Sequence, residues 1–291
     1  MKKIVFLIGT VILGCIVFSC TDLDDTPPEP MLVIKFKFDP SQERLDNLGQ
    51  PANAVGSGNA SQSPEINSFS SDYIEFLKDE NTQLGEGKII YQGTRTTAGG
   101  TSAIDFGQSS IVNKNDVFVE IPLKSITPGD YKYLRSSISY QNFNVKVRRN
   151  NIDYNAYMVG FMGDNNYIST FSISDYPFVI NANKLQGYWA LGLSAVTYSF
   201  SGQTAANATT VPNPLWATSP TPLGSSIITG AFSNTLTITG LETRNIVVTI
   251  SLSNRKSFVW REVNVDGKFE PPAGENIIDM GLRGLKATFI K

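Results

Sequence analysis

Residues 260–275, near the end of the chain, have oxygen-bearing side chains at a spacing that could bind a metal ion. Oxygen-bearing side chains occupy alternate positions at Glu262, Asn264 and Asp266, and Gly267 follows the third. A hard cation such as Ca²⁺ takes about six to eight oxygen ligands, and glycine can adopt the turn that wraps a chain around the ion. The spacing therefore predicts a calcium site.

The same stretch resembles the D-x-[DN]-x-[DN]-G loops of EF-hand-like and dockerin-like proteins, and the W-x-D-x-N-x-D-G loops of calcium-dependent adhesin repeats. The resemblance implies side-chain ligands at the alternating positions, a carbonyl ligand and a late carboxylate. The implied ligands are Glu262, Asn264, Asp266, Lys268, Glu270 and Glu275. The chain departs from the pattern where glutamate replaces the first aspartate and where the closing glutamate falls two residues late.

A second interpretation of this stretch needs no metal. Asp266-Gly267 is a two-residue turn signal, so residues 263–269 could form a plain β-hairpin. Arg261 and Lys268 would then neutralise the neighbouring acids. The sequence leaves the calcium loop and the hairpin open.

Other chemistry is limited by what the chain lacks. Its 291 residues include no histidine, and its two cysteines are Cys15 and Cys20. Without imidazole the chain cannot form a Ser-His-Asp or Cys-His nucleophilic site, or a histidine-ligated zinc. Paired carboxylates could catalyse glycoside hydrolysis, but no acidic residue lies in a recognisable motif for that reaction. We expect a binding protein and not an enzyme.

The charge balance argues against a nucleic-acid partner. The chain has 24 basic and 26 acidic residues, for a formal net charge of −2. Two of the basic and four of the acidic residues precede residue 31, which leaves 22 of each in the remaining body. A neutral body does not provide the basic surface that attracts a polyanion.

The first 31 residues are typical of an exported, lipid-anchored protein. Two lysines precede an apolar run over residues 4–18, which is shorter than the roughly 20 residues of a spanning helix. Val17-Phe18-Ser19-Cys20 resembles the lipobox of bacterial lipoproteins, which implies a signal peptide over residues 1–19 and acylation of Cys20. Residues 20–31 are acidic and then proline-rich, which predicts an extended tether.

The residues after Cys20 also suggest a location. Thr21 and the aspartates that follow it are similar to the sorting and export signals of Bacteroidetes-type outer-membrane lipoproteins, although an ordinary solvated tether would have the same composition. The resemblance implies an outer-membrane lipoprotein that faces the periplasm or the cell surface. The membrane would be contacted through the lipid alone.

Most of the body, residues 32–291, has the residue pattern of β-strands. Ile34, Phe36 and Phe38 alternate with lysines, and runs of β-branched and aromatic residues recur between turn signals. Residues 71–80 fit either a short helix or a strand, and Gly163-Asp164-Asn165-Asn166 predicts a hairpin turn. We predict an all-β, antiparallel sandwich of Greek-key type, either as one body or as two sandwiches divided near residues 180–235.

An uncharged segment is the predicted ligand site. Between Asp175 and Glu242 the only charged side chain is Lys184, and residues 203–226 form a long loop rich in proline, threonine and serine. Aromatic side chains there could stack on a sugar ring or anchor a protein. The candidates are Tyr188, Trp189 and Trp216. Alternatively, Trp216 could pack onto the sandwich and hold the loop in place.

Two functions remain open at this point. The first is a lipid-anchored envelope protein that binds a glycan or protein ligand through loops on a β-sandwich. The alternative is a calcium-stabilised structural or metal-handling accessory lipoprotein, similar to the small β-sandwich metal-binding lipoproteins found beside outer-membrane transporters. The absence of histidine favours Ca²⁺ over copper or zinc as any cofactor.

Overall fold

The computed structural model describes residues 28–46, 48–51, 55–173, 176–193, 199–204 and 225–291. Cys20 and Trp216, together with the predicted signal peptide, lie outside these ranges. Within them the protein is all-β, as predicted, with 3-10 helices at Phe106–Gln108, Leu123–Ser125 and Pro271–Ala273. None of the described helices is both long and apolar enough to cross a membrane.

The largest sheet has eight strands and forms one wall of the sandwich. In spatial order its strands are β5 (Lys88–Gln92), β4 (Tyr73–Leu77), β10 (Gly129–Ile138), β17 (Ser226–Ile238), β21 (Arg283–Ile290), β18 (Ile246–Ser253), β1 (Met31–Phe38) and β9 (Val117–Pro122). Residues 71–80, which fit a helix or a strand by sequence, contribute β4. The predicted alternation in β1 is confirmed, since Ile34, Phe36 and Phe38 are buried while Lys37 is exposed.

The second wall is a six-stranded sheet. Its strands, in spatial order, are β16 (Ser199–Gln203), β15 (Tyr188–Leu193), β12 (Ile152–Phe161), β11 (Tyr140–Arg149), β3 (Glu65–Ser70) and β8 (Val112–Asn113). The inner faces of the two walls share one apolar core. Phe36 of β1 and Phe69 of β3 meet across it with ring centroids 4.6 Å apart.

Two smaller sheets complete the body. A four-stranded sheet of β14 (Tyr176–Leu185), β13 (Asn165–Ile173), β7 (Ala103–Asp105) and β6 (Arg95–Thr96) covers the outer face of the second wall through a separate apolar cluster. A three-stranded sheet of β2 (Asn59–Gln62), β19 (Phe258–Arg261) and β20 (Ile277–Asp279) adds Phe258 and Trp260 to the main core. The strands before residue 180 and those after residue 235 therefore belong to sheets that pack against one another.

The pairing differs from a purely antiparallel sandwich at three places. β1 pairs with β18, β13 with β7 and β17 with β21 in parallel. Parallel strands need a long crossover connection, and more than 200 residues of chain separate β1 from β18. Alternating apolar residues identify a strand, but they do not reveal a partner at that distance.

The predicted hairpin at residues 163–166 is wrong. β12 ends at Phe161 and pairs with β11 and β15, whereas β13 begins at Asn165 and pairs with β14 and β7. The backbone N–H groups of Met162 and Gly163 both donate to the carbonyl of Ser139, 2.8 and 3.1 Å away. These bonds direct the chain out of the second wall and into the covering sheet.

Candidate functional site

A cavity of about 500 Å³ lies at one edge of the second wall, beside the three-stranded sheet. We name it the tryptophan cavity. Its lining residues come from β15, β16, the residue after β16 and the start of β20, and they are Trp189, Gly202, Gln203, Thr204, Asn276, Ile277 and Ile278. None of these seven side chains carries a charge, so the cavity suits a neutral, hydrogen-bonding ligand.

The position of the Trp189 ring follows from its neighbours in the sheet. Trp189 lies opposite Gly202 in the β15–β16 register, and a Cβ atom at residue 202 would come within 2.6 Å of the ring. Phe200 packs edge-to-face against the same indole, with centroids 5.2 Å apart. Glycine at 202 therefore leaves room for the ring, and Phe200 supports it from the side.

Polar groups surround the ring on the cavity wall. Thr204 is 6% exposed, and its hydroxyl has no hydrogen-bond partner among the described residues. The side-chain N–H of Gln203 donates a hydrogen bond to the carbonyl of Gln186 at 2.6 Å. This bond does not use the side-chain oxygen of Gln203. An aromatic face beside hydroxyl and amide groups is the combination that binds a sugar ring or a similar polyhydroxylated group.

The two adjacent aromatic residues predicted to bind ligand lie on opposite faces of β15. Trp189 lines the cavity, while Tyr188 is 5% exposed and belongs to the cluster beneath the covering sheet. The ring centroids of Tyr188 and Phe161 are 5.8 Å apart. The Lys184 ammonium lies over the Tyr188 ring, 4.9 Å from its centroid. Tyr188 therefore packs in the interior. Trp216, the third candidate, lies outside the described residues.

A second cavity, of about 340 Å³, adjoins the first; we name it the arginine cavity. Its charged lining residues are Arg44, Asp46, Asp279 and Arg283. Both arginines contact the same oxygen, Asp279 Oδ2, at 3.1 and 2.5 Å, and the other oxygen accepts the N–H of Gly281 at 2.7 Å. Burial, and secondarily the charge of Arg283, lower the pKa of Arg44.

The predicted calcium ligands lie in an exposed loop at residues 262–275, the acidic loop. Glu275 is 3% exposed, and its carboxylate accepts the N–H groups of Val263 at 3.0 Å and Glu270 at 2.6 Å. Glu262 accepts the N–H groups of Asp266 and Gly267 at 3.0 and 2.8 Å. These oxygens are bonded to the loop's own backbone.

The remaining candidate ligands are also engaged within the protein. Asp266 pairs with Arg148 at 2.7 Å, Asn264 donates to Glu270, and Lys268 lies 3.3 Å from Asp153. In the part of the chain that the structure describes, no group of three or more His, Cys, Asp or Glu side chains is placed to hold a metal ion. The calcium site stays a prediction.

The hairpin interpretation of this loop is wrong as well. Residues 262–268 contain no strand, and both Val265 and Gly267 have positive φ angles, of 51° and 71°. Phe269 then forms an isolated parallel bridge with Val147 of β11. The loop is held by carboxylate–backbone hydrogen bonds instead of by strand pairing.

A buried ionic cluster lies where the chain passes between the sheets. Arg95 contacts Asp72 at 3.5 Å and Asp164 at 3.0 Å, and all three side chains are largely buried. Burial raises the pKa of Asp72 to about 6; Arg95 opposes this shift and Asp164 adds to it. The uncharged Ser137 hydroxyl accepts a hydrogen bond from the backbone N–H of Asp72 at 2.8 Å. The cluster joins the walls and lines neither cavity.

Sequence reasoning identified Trp189 but missed the other groups around the two cavities. Thr204 lies in the uncharged segment without any motif, and Asn276 directly follows the predicted calcium loop. Arg44 and Arg283 are far apart in the sequence and come together only through Asp279. No local pattern signals such a meeting. Comparison of the chain with protein-family models, with curated proteins and with solved structures finds no match, so geometry carries the functional argument.

Proposed function

We propose that this protein is a lipid-anchored binding protein of the cell envelope that holds a glycan in the tryptophan cavity. The observation that carries the proposal is the Trp189 ring beside a buried Thr204 hydroxyl that lacks a described partner, in a cavity whose described lining residues carry no charge. A sugar offers an apolar ring face for the indole and hydroxyl groups for the threonine and the amides.

The position of the cavity supports the same function. The folded body begins beside Met31, whose N–H donates to Asn245 at 2.8 Å at one end of β1. The arginine cavity lies beyond the other end of β1, at Arg44, and the tryptophan cavity adjoins it through Ile278. Eight strand residues span about 26 Å. A lipid anchor at Cys20 would join the body at Met31, at the end of β1 opposite to the end nearest Arg44.

A glycan array followed by titration calorimetry tests the proposal. Wild-type protein is expected to bind at least one glycan, and Trp189→Ala should weaken that binding about tenfold or more, because a stacked aromatic at the centre of a site dominates its affinity. Trp189→Leu keeps an apolar contact to Phe200 and removes the flat ring, so it should lose affinity with a smaller change in melting temperature.

Tyr157→Ala is the matched control, since Tyr157 is a partly exposed aromatic of the neighbouring strand β12 and lines a different cavity. It should leave glycan affinity unchanged. The proposed site is wrong if no glycan binds. It is also wrong if the Trp189 variants bind glycan as tightly as wild type and the Tyr157 control do.

A further inference from the structure

The two cavities share one lining residue among those that the structure describes. Ile278, the middle residue of β20, lines both of them. Asn276 and Ile277 lie on the tryptophan side, and Asp279 lies on the arginine side. A strand of three residues spans about 10 Å, so a ligand of a few sugar units could contact both sides at once.

The described lining of the arginine cavity has two positive and two negative side chains, and both arginines contact the same acid. One carboxylate, Asp279, faces two guanidinium groups. The other acid of the lining, Asp46, accepts backbone N–H groups from Leu48 and Gln50 at 2.8 and 2.9 Å. An anionic group entering the cavity would meet both arginines, and hydrogen bonds between charged partners are about twice as strong as neutral ones.

A neutral acceptor lies in the same cavity. Asn59 Oδ1 is buried and has no hydrogen-bond partner among the described residues. A carboxylate or sulfate has no proton to donate to that oxygen, whereas a hydroxyl group has one. Arginine pairs beside an amide acceptor therefore match a group that carries an acid and hydroxyls on one ring.

We propose that the two cavities form one groove for an acidic oligosaccharide, in which Trp189 stacks on a neutral sugar and Arg44 and Arg283 hold the carboxylate or sulfate of its neighbour. This inference rests on the proposed glycan-binding function and adds the chemical class of the glycan. Arg44 and Arg283 set specificity, and Trp189 supplies affinity for either kind of sugar.

The test uses pairs of ligands that differ only in charge. Oligogalacturonate is compared with its methyl ester, sialyllactose with the methyl ester of its sialic acid carboxyl group, and a sulfated galactose oligosaccharide with its desulfated form, each by titration calorimetry. Wild-type protein should bind at least one acidic ligand about tenfold or more tightly than its neutral counterpart, since charged hydrogen bonds are worth at least that factor. Added salt should reduce this ratio.

Three variants and one control separate the inference from the proposed function. Arg44→Gln and, independently, Arg283→Gln should bring the acidic-to-neutral ratio close to one while the neutral ligand binds as before. Trp189→Leu should weaken both ligands by the same factor. Arg244→Gln, at an exposed position near the other end of β1, should change neither.

Equal binding of acidic and neutral ligands that still depends on Trp189 would overturn the acidic groove and leave the glycan site standing. An acidic preference that survives in both arginine variants would also overturn it. The absence of binding by every ligand would overturn both proposals.

Discussion

The acidic loop and the groove beside it use polar side chains in opposite ways. In the acidic loop, the carboxylates of Glu262 and Glu275 accept hydrogen bonds from the loop's own backbone N–H groups, and Asp266 pairs with Arg148. In the groove, Thr204 and Asn59 keep polar atoms without partners among the described residues. Asn276 joins the two regions, because it follows Glu275 and lines the tryptophan cavity.

The difference shows that a dense acidic motif is not the same as an available site. Carboxylates close together in sequence can satisfy a turn that has no strand pairing, and they then have little capacity left for a ligand. Neutral residues that look ordinary in sequence can line a cavity with buried polar atoms that the described residues leave unpaired.

The largest expected effect concerns Glu275 as a structural residue of the acidic loop. Glu275→Ala should lower the free energy of unfolding by about 4 kcal/mol, because it leaves at least two backbone N–H groups without their acceptor at a buried position. Chemical denaturation measures the change. Glu275→Gln keeps one carbonyl oxygen and should lose less, and Asp266→Ala, at an exposed position, should lose little. A loss for Glu275→Ala no larger than for Asp266→Ala would contradict the structural role of Glu275 in the acidic loop.

The ionic cluster at Asp72 extends the comparison to charge that is buried but incompletely paired. Its pKa in the folded protein is about 6, above the ordinary value of 3.8, so the folded state favours the protonated carboxyl. The free energy of unfolding of the wild-type protein should therefore decrease as the pH rises from about 4 to 6. Above that range the ionisation of Asp72 should cause no further decrease.

Asp72→Asn removes this dependence and should be more stable than wild type by about 2 kcal/mol at pH 7, with a difference that disappears near pH 4. Denaturation curves across that pH range measure it. Asp153→Asn is a matched control, because the exposed Asp153 has a lowered pKa owing mainly to its hydrogen bond with Arg148. A stability difference for Asp72→Asn that is constant from pH 4 to 7 would contradict the assigned shift.

The smallest expected effect is that of calcium on the acidic loop. Since its carboxylates are engaged by backbone and basic groups, millimolar Ca²⁺ should leave the melting temperature within error of its value in chelator. A site at a hundredfold excess of ion over its dissociation constant would instead add about 2.7 kcal/mol. A clear increase that Asp266→Ala abolishes would restore the calcium interpretation and place both regions among the binding sites.

The sequence predicted the class of fold and one residue of the candidate site for physical reasons that are local. Alternation in β1 revealed its buried face, and an uncharged aromatic segment pointed to Trp189. Tyr188 and Trp189 were both predicted to bind ligand, although adjacent residues of a strand lie on opposite faces, because nothing local indicates which face a second sheet covers. The contact of Arg44 and Arg283 through Asp279, and the exit of the chain at Gly163, depend on pairings between distant strands, which residue patterns do not encode.

The parallel pairing of β1 with β18 has a consequence for the order of folding. β9 pairs with one edge of β1, whereas the other edge pairs Leu32 with Ile246 and bonds Met31 to Asn245, 214 positions away, so that second edge stays unpaired until most of the chain has been made. Contacts this distant in sequence slow folding, because the intervening chain must be ordered before they form. A growing chain thus leaves one edge of β1 without its partner until β18 has been made. Until then, chaperones that bind extended apolar segments would have access to that edge of β1.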